Sequence, residues 1–335
     1  MQLEAGAHKD AEAAYRKLIA ILPDNYDYHR GLCAALSLDT SPGAPPPDGA
    51  ALARLKGVYE ELLAQYPKCS ACKRIPLDFL AGDDFAAAAR ERIAAFVDRG
   101  VPSLFSDLKP LLRDAHKADA LWRVAGELLS EAGPDSECAV WLHLYLAQHA
   151  AELRRIGDAV AHIEAAGGSG ALGGAALDVY SARADVLAAA GDAAGAAAAA
   201  EVARRLDLKD RYVNSTAAKY WFRAGEPARA KETALLFAVD VDGTVNNLNE
   251  MQVMWFELES GRAHAAAGDL GMVRSSPLSG EFGAHRSIRA RRASEAGWRA
   301  AARACRRSRW RARWWRTLRS LRRTSTTSTT TACAR

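Results

Sequence analysis

The chain has 335 residues, 49% of them hydrophobic and 25% charged, with a formal net charge of +5. That is enough apolar material for a sizeable core, which excludes a wholly disordered polypeptide. No uncharged apolar run reaches the roughly 18 residues a membrane span needs. The opening residues Met1–Gly6 lack the basic and apolar regions of a signal peptide, and six cysteines at irregular spacings predict reduced thiols and a cytosolic setting. The net charge conceals a division. Residues 1–270 hold 28 Lys+Arg against 38 Asp+Glu, whereas residues 271–335 hold 17 Arg against two Glu. These segments, at −10 and +15, are not expected to share one fold.

In chain order, Gly6, Ala11, Tyr15 and Pro23 stand at the offsets a two-helix repeat gives its turn glycine, helix-B alanine, helix-B aromatic and terminal proline. The first helix of that unit is missing, so the natural protein is expected to extend further toward the N-terminus. Residues 26–38 read as the next helix A. A Pro- and Gly-rich loop over 40–50 follows, then helix B from Leu52 to Tyr66. There Tyr59 and Pro67 repeat the spacing of Tyr15 and Pro23. Residues 76–129 read as amphipathic helices of less regular spacing, and Gly133-Pro134-Asp135-Ser136 as a turn.

The regular array begins at about Val140. Gly157-Asp158, Gly191-Asp192 and Gly225-Glu226 follow one another at intervals of 34 residues, with Gly268-Asp269 after a longer gap. Ala150, Ala184 and Ala218 precede the first three glycines by a constant interval, as do Leu153, Leu187 and Trp221. This period with small residues at fixed offsets is that of tetratricopeptide repeats. The predicted fold is therefore all-α, a solenoid of helical hairpins over residues 1–270 in which each glycine permits a turn. Gly-rich residues 167–174 interrupt one repeat, and its helix B is expected to be short. The alanine-rich stretch 193–203 predicts a strong helix in close packing. Residues 271–335, with arginines in no helical register, four tryptophans and a Thr/Ser run, read as a disordered basic tail or as sequence that is not native coding. Its Arg/Trp content offers a second reading, contact with a nucleic-acid backbone.

Candidate chemistry is sparse. Asp240-Val241-Asp242-Gly243-Thr244 resembles motif I of haloacid-dehalogenase-type phosphatases, where the first aspartate attacks phosphorus, but helical repeats flank it and no α/β domain follows. Arg154-Arg155-Ile156-Gly157-Asp158-Ala159 fits the short acetyl-CoA-binding pattern R-x-x-G-x-A, yet Gly157 belongs to the repeat register. Cys69-Ser70-Ala71-Cys72 is a single C-x-x-C without a second ligand pair following it, so no metal site is predicted. His116, His143, His149 and His162 read as surface or groove residues. No catalytic residue is assigned.

Four ordered blocks carry a family resemblance. These are Lys73-Arg74-Ile75-Pro76-Leu77-Asp78-Phe79-Leu80-Ala81-Gly82-Asp83-Asp84-Phe85; Trp141-Leu142-His143-Leu144-Tyr145-Leu146-Ala147-Gln148-His149; Asp210-Arg211-Tyr212-Val213-Asn214-Ser215-Thr216-Ala217-Ala218-Lys219-Tyr220; and Asn247-Leu248-Asn249-Glu250-Met251-Gln252-Val253-Met254-Trp255-Phe256-Glu257. Together they resemble a middle segment of the auxiliary subunit of the N-terminal acetyltransferase A (NatA) complex. The resemblance implies a non-enzymatic, cytoplasmic, ribosome-associated scaffold. Its partner would be a catalytic acetyltransferase subunit that carries the acetyl-CoA and modifies nascent chains, and contact with nucleic acid would come through the ribosome or the basic tail. The scaffold itself needs no cofactor, although some family members hold an inositol polyphosphate, for which Lys219, Tyr220 and Arg223 are the candidates here. Two rival functions are a generic tetratricopeptide adaptor for peptide clients and a phosphatase centred on Asp240.

Overall fold

The computed structural model describes residues 8–38, 47–238, 248, 253–269 and 271. Gly6, most of the 40–50 loop, Asp240–Thr244, residues 247 and 249–252 of the Asn247–Glu257 block and the basic tail lie outside them. Fifteen α-helices and no strand occur among the described residues. The fold class is all-α, as predicted.

Contacts divide the chain into Met1–Ala224 and Gly225–Arg335. The sequence placed one boundary at 270, whereas the contacts place one at Gly225, inside the 34-residue register. In the first unit α1 (His8–Ile21) pairs with α2 (Tyr26–Ala35), and α3 (Gly49–Gln65) packs on the short α4 (Ser70–Arg74) and α5 (Pro76–Phe79). Helix α6 (Gly82–Val97) lies against α4 and α5; α7 (Leu104–Leu108) and a 3₁₀ turn lead into α8 (Ala115–Glu131). From there each helix packs on the next: α9 (Glu137–Glu152), α10 (Ile156–Gly168), α11 (Ala176–Ala190), α12 (Ala193–Leu206) and α13 (Arg211–Arg223). In the second unit α14 (Pro227–Leu235) packs with α15 (Met254–Ala267).

Local chemistry sets the helix starts. Asn25, Asp48, Asp114, Ser136, Asp192 and Asp210 each accept a backbone N–H from the first turn of the helix that follows. Each satisfies an otherwise orphaned donor, typically worth about 1 kcal/mol. Helix ends are set by left-handed residues. Gly191 stands at φ +89° and Gly268 at +81°. In both turns the next N–H bonds back five residues, Asp192 to Leu187 and Asp269 to His264, which closes the terminal carbonyls.

The small residues of the register are buried as expected: Ala150, Ala184 and Ala218 are at most 1% exposed. In the alanine-rich α12, Ala196, Ala197 and Ala200 are buried against neighbouring helices. Tyr15 packs over Gly31, where an added Cβ would stand 2.2 Å from the ring. Pro23 and Pro67 follow the ends of α1 and α3, where the spacing placed them.

Two expectations are corrected. Gly157 is not a turn residue: it is the second residue of α10, and the left-handed position is Arg154, at φ +61°. The reason is that the α9–α10 turn closes early, through Arg155 N–H to Ala150 O at 2.8 Å. Nor does the Gly-rich stretch shorten helix B of that repeat. Helix α10 has 13 residues and runs through Gly167 and Gly168, anchored by Ile163 and Ala166, both fully buried.

Candidate partner-binding groove

Helices α3 and α6 flank a groove of about 1000 Å³ floored by α4 and α5. Its apolar lining comes from Leu63, Pro76, Phe79, Leu80 and Phe96, and its charged lining from Lys56, Lys68, Lys73, Arg92, Arg99, Glu60, Asp84 and Glu91. Lys56 pairs with Asp84 across the groove, and Lys73 stands 3.9 Å from Glu91. An apolar floor with charged walls suits a protein segment that buries side chains and meets fixed charges at its edges.

The floor is held by a buried ion network. Arg92 is 6% exposed and grips Asp107 with two nitrogens, at 3.0 and 3.2 Å, while also donating to Ser70 Oγ at 2.9 Å. Arg74, 5% exposed, donates to the Asp107 carbonyl at 2.9 Å and to Asp78 Oδ1 at 2.8 Å. Lys117 donates to the carbonyls of Leu77 and Asp78, at 2.8 and 2.7 Å. These groups fix the Lys73–Phe85 block from within. The block's Arg74 thus orders the floor and does not project into the groove.

The block from Trp141 to His149 forms most of α9, which is apolar nearly all round and packs on α7, α8, α10 and α11. A helix of that kind belongs in the interior. His149 was expected at the surface or in a groove and is instead fully buried, with the Tyr145 hydroxyl 3.3 Å from its Nδ1. Burial holds its pKa down at about 4. His143 faces His162 of α10 at 2.9 Å between Nδ1 atoms, not His149. Trp122 packs beside His149 and His162, with the Arg155 guanidinium 4.1 Å from its ring centre.

The Cys69–Cys72 pair has company that its spacing did not reveal. His29 of α2 comes to it from upstream, and one ligand atom from each of the three residues lies within 4.8 Å of the others. This histidine stands far before the pair in the chain, on another hairpin. Asp24 tethers the same place: its Oδ1 accepts the N–H groups of Ser70 and Ala71 at 2.6 and 3.1 Å.

Lys219, Tyr220 and Arg223 share α13. Tyr220 is buried, and its hydroxyl donates to Asp185 of α11. Burial and that carboxylate raise the phenol's pKa. Lys219 is half-buried and Arg223 exposed, with its guanidinium 5.5 Å from the Tyr220 ring centre. An anion here would meet the two cations, one helical turn apart, while Tyr220 is committed to Asp185. The Arg154–Ala159 pattern follows helix α9 rather than a strand, so the backbone geometry of an acetyl-CoA cradle is not formed there.

The sequence profile described as "N-terminal acetyltransferase A, auxiliary subunit" matches residues 1–274. The chain belongs to this family. It is 36% identical over 286 residues to the Arabidopsis thaliana N-terminal acetyltransferase A complex auxiliary subunit NAA15, covering 80% of this chain and 30% of that one. It is 29% identical to the mouse N-alpha-acetyltransferase 16, NatA auxiliary subunit, and 28% to its human counterpart, covering 81% and 80% of this chain and 31% of each relative. A solved structure of Naa15/Naa10 bound to HypK-THB is similar at a TM-score of 0.69 and 35% identity, over 80% of this chain and 39% of that one. The chain thus spans about a third of the length of the curated relatives it matches. Within this NatA auxiliary segment, three of the four resemblance blocks fall on described helices, and most of their large apolar side chains are buried.

Proposed function

We propose that this NatA auxiliary-family chain is a segment of a non-catalytic scaffold that supports the catalytic subunit of an N-terminal α-acetyltransferase acting on nascent chains at the ribosome. The observation that carries the reading is the family match over residues 1–274, supported by the likeness to the Naa15/Naa10 structure. The geometry is consistent with it: polar clusters serve packing, and the α3–α6 groove offers a protein-sized surface. In this reading acetyl-CoA belongs to the catalytic partner. An inositol polyphosphate, if bound, would be held by Lys219 and Arg223.

Co-expression with the catalytic subunit of the same organism, followed by co-purification and assay on a peptide beginning with Ser, tests the proposal. The expected result is retention of the catalytic subunit with increased transfer to the peptide. Reversing the groove's exposed charges, Lys68→Glu with Arg99→Glu, should lower retention about fivefold without changing Tm, since charges at an interface edge act on association more than on folding. Capture of short peptides with no effect on the acetyltransferase would instead establish the adaptor function and sink this one.

A further inference from the structure

Between the α1–α2 hairpin and α4 lies a cluster of soft ligands that the scaffold function does not use. His29, Cys69 and Cys72 are 0%, 3% and 1% exposed, and their ligand atoms lie within 4.8 Å of one another. Tetrahedral Zn²⁺, with bonds of about 2.3 Å to sulfur and 2.0 Å to nitrogen, needs ligand separations of roughly 3.7 Å. A contraction of about 1 Å at most brings one ring nitrogen of His29 and the two sulfurs to that spacing.

The surroundings are those of a ligand set. His29 Nε2–H donates to the Pro23 carbonyl at 2.7 Å, the kind of outer contact that fixes the tautomer of a metal-binding imidazole. Its other nitrogen, Nδ1, is buried and meets no hydrogen-bond partner among the described residues. A buried imidazole lone pair without a donor is costly unless something accepts it. Tyr59 stacks on the ring at 5.8 Å and orients it. Cys72 and Ser70 also line the α3–α6 groove, the side from which an ion would enter. Two thiolates would balance the charge of a divalent cation, and nitrogen with two sulfurs selects a soft ion over Mg²⁺ or Ca²⁺.

We propose that His29, Cys69 and Cys72 bind one Zn²⁺ ion that staples the α1–α2 hairpin to the start of α4. Binding forms two Zn–S bonds and one Zn–N bond, and each thiol releases its proton to solvent.

The test titrates Co²⁺, a spectroscopic stand-in for Zn²⁺, into the full chain under reducing conditions. The expected result is a thiolate-to-cobalt charge-transfer band that saturates at about one equivalent and is abolished by Zn²⁺. Cys69→Ser and Cys72→Ser should each remove most of the band, and His29→Gln should weaken binding at least about tenfold, while Cys138→Ser leaves it unchanged. A second measurement needs no variant: Zn²⁺ should slow alkylation of Cys69 and Cys72, read by peptide mass, and EDTA should restore it. Saturating Zn²⁺ should also raise Tm by roughly 5 °C. A chain that takes up cobalt without the band, or whose Cys69 and Cys72 alkylate equally fast with and without Zn²⁺, overturns the proposal.

Discussion

Arg154 and Ser37 hold positive φ angles, +61° and +58°, without being glycine. Each closes a helix end by the same backbone bond that Gly191 makes, Arg155 N–H to Ala150 O and Leu38 N–H to Cys33 O. A Cβ in that conformation costs about 1–2 kcal/mol. Arg154 is exposed, so Arg154→Gly should raise stability by about 1 kcal/mol once glycine's greater unfolded-state entropy is set against the relief. Chemical denaturation would show it as a shifted midpoint at unchanged slope. The reverse experiment is Gly191→Ala, which should destabilise by a similar amount. His149 supplies a pH dependence. Its folded pKa is about 4, below the unfolded value of about 6.5, so the unfolded chain binds the extra proton. Stability should therefore be full above pH 6.5 and fall as the pH drops toward 4, by about 3 kcal/mol in all. Burial also lowers the pKa values of His29, His143 and His162, so they add to the slope. A Tm series from pH 7 to 5 checks this; His149→Gln should flatten it in part, and an unchanged slope would assign the effect to the other three.

Among the elements, α4 to α7 depend on one carboxylate. The Asp107 carboxylate accepts from two nitrogens of buried Arg92, and its backbone carbonyl accepts from Arg74. Removing its carboxylate would leave the buried Arg92 guanidinium short of a partner, which typically costs about 3–5 kcal/mol, whereas Arg74 keeps the backbone carbonyl and Asp78. Asp107→Ala is expected to lose that much, and the double change with Arg92→Met to recover part of it. This pairing was not legible in the sequence, because Arg92 sits on α6 and Asp107 on the five-residue α7, both outside the regular repeat. What could be read were the periodic features: Ala150, Ala184 and Ala218 at one offset, Gly191 and Gly268 as turns, Pro23 and Pro67 as helix ends. Gly157 misled for a physical reason. Periodicity marks where a glycine stands, while the turn forms where the carbonyls of α9 are closed, and here that is three residues earlier.

Taken as a whole, the molecule divides its family-like blocks between two duties. Trp141–His149 builds an interior helix, Lys73–Phe85 builds the groove floor and supplies Lys73 and Asp84 to its charged lining, and the other charges, among them Lys56, Glu60, Glu91 and Arg99, stand outside any motif. Resemblance in the sequence therefore pointed to the fold of the NatA auxiliary segment more directly than to its contact surface. The His29–Cys69–Cys72 cluster was hidden by distance along the chain, as surfaces assembled from separate hairpins generally are.

Asp24 has a further consequence, for the order of assembly. It lies between α1 and α2 yet satisfies the first N–H groups of α4, more than forty residues later in the chain. Synthesis runs from the N-terminus, so the cap exists before the helix it serves, and α4 can settle as soon as its own residues emerge. An expression fragment cut in the loop before α3 would reverse that advantage: α4 would form without Asp24, next to two uncovered thiols and the groove floor that Arg74 is meant to hold. Fragment boundaries for this protein are therefore better placed before α1 than between its first hairpin and its second.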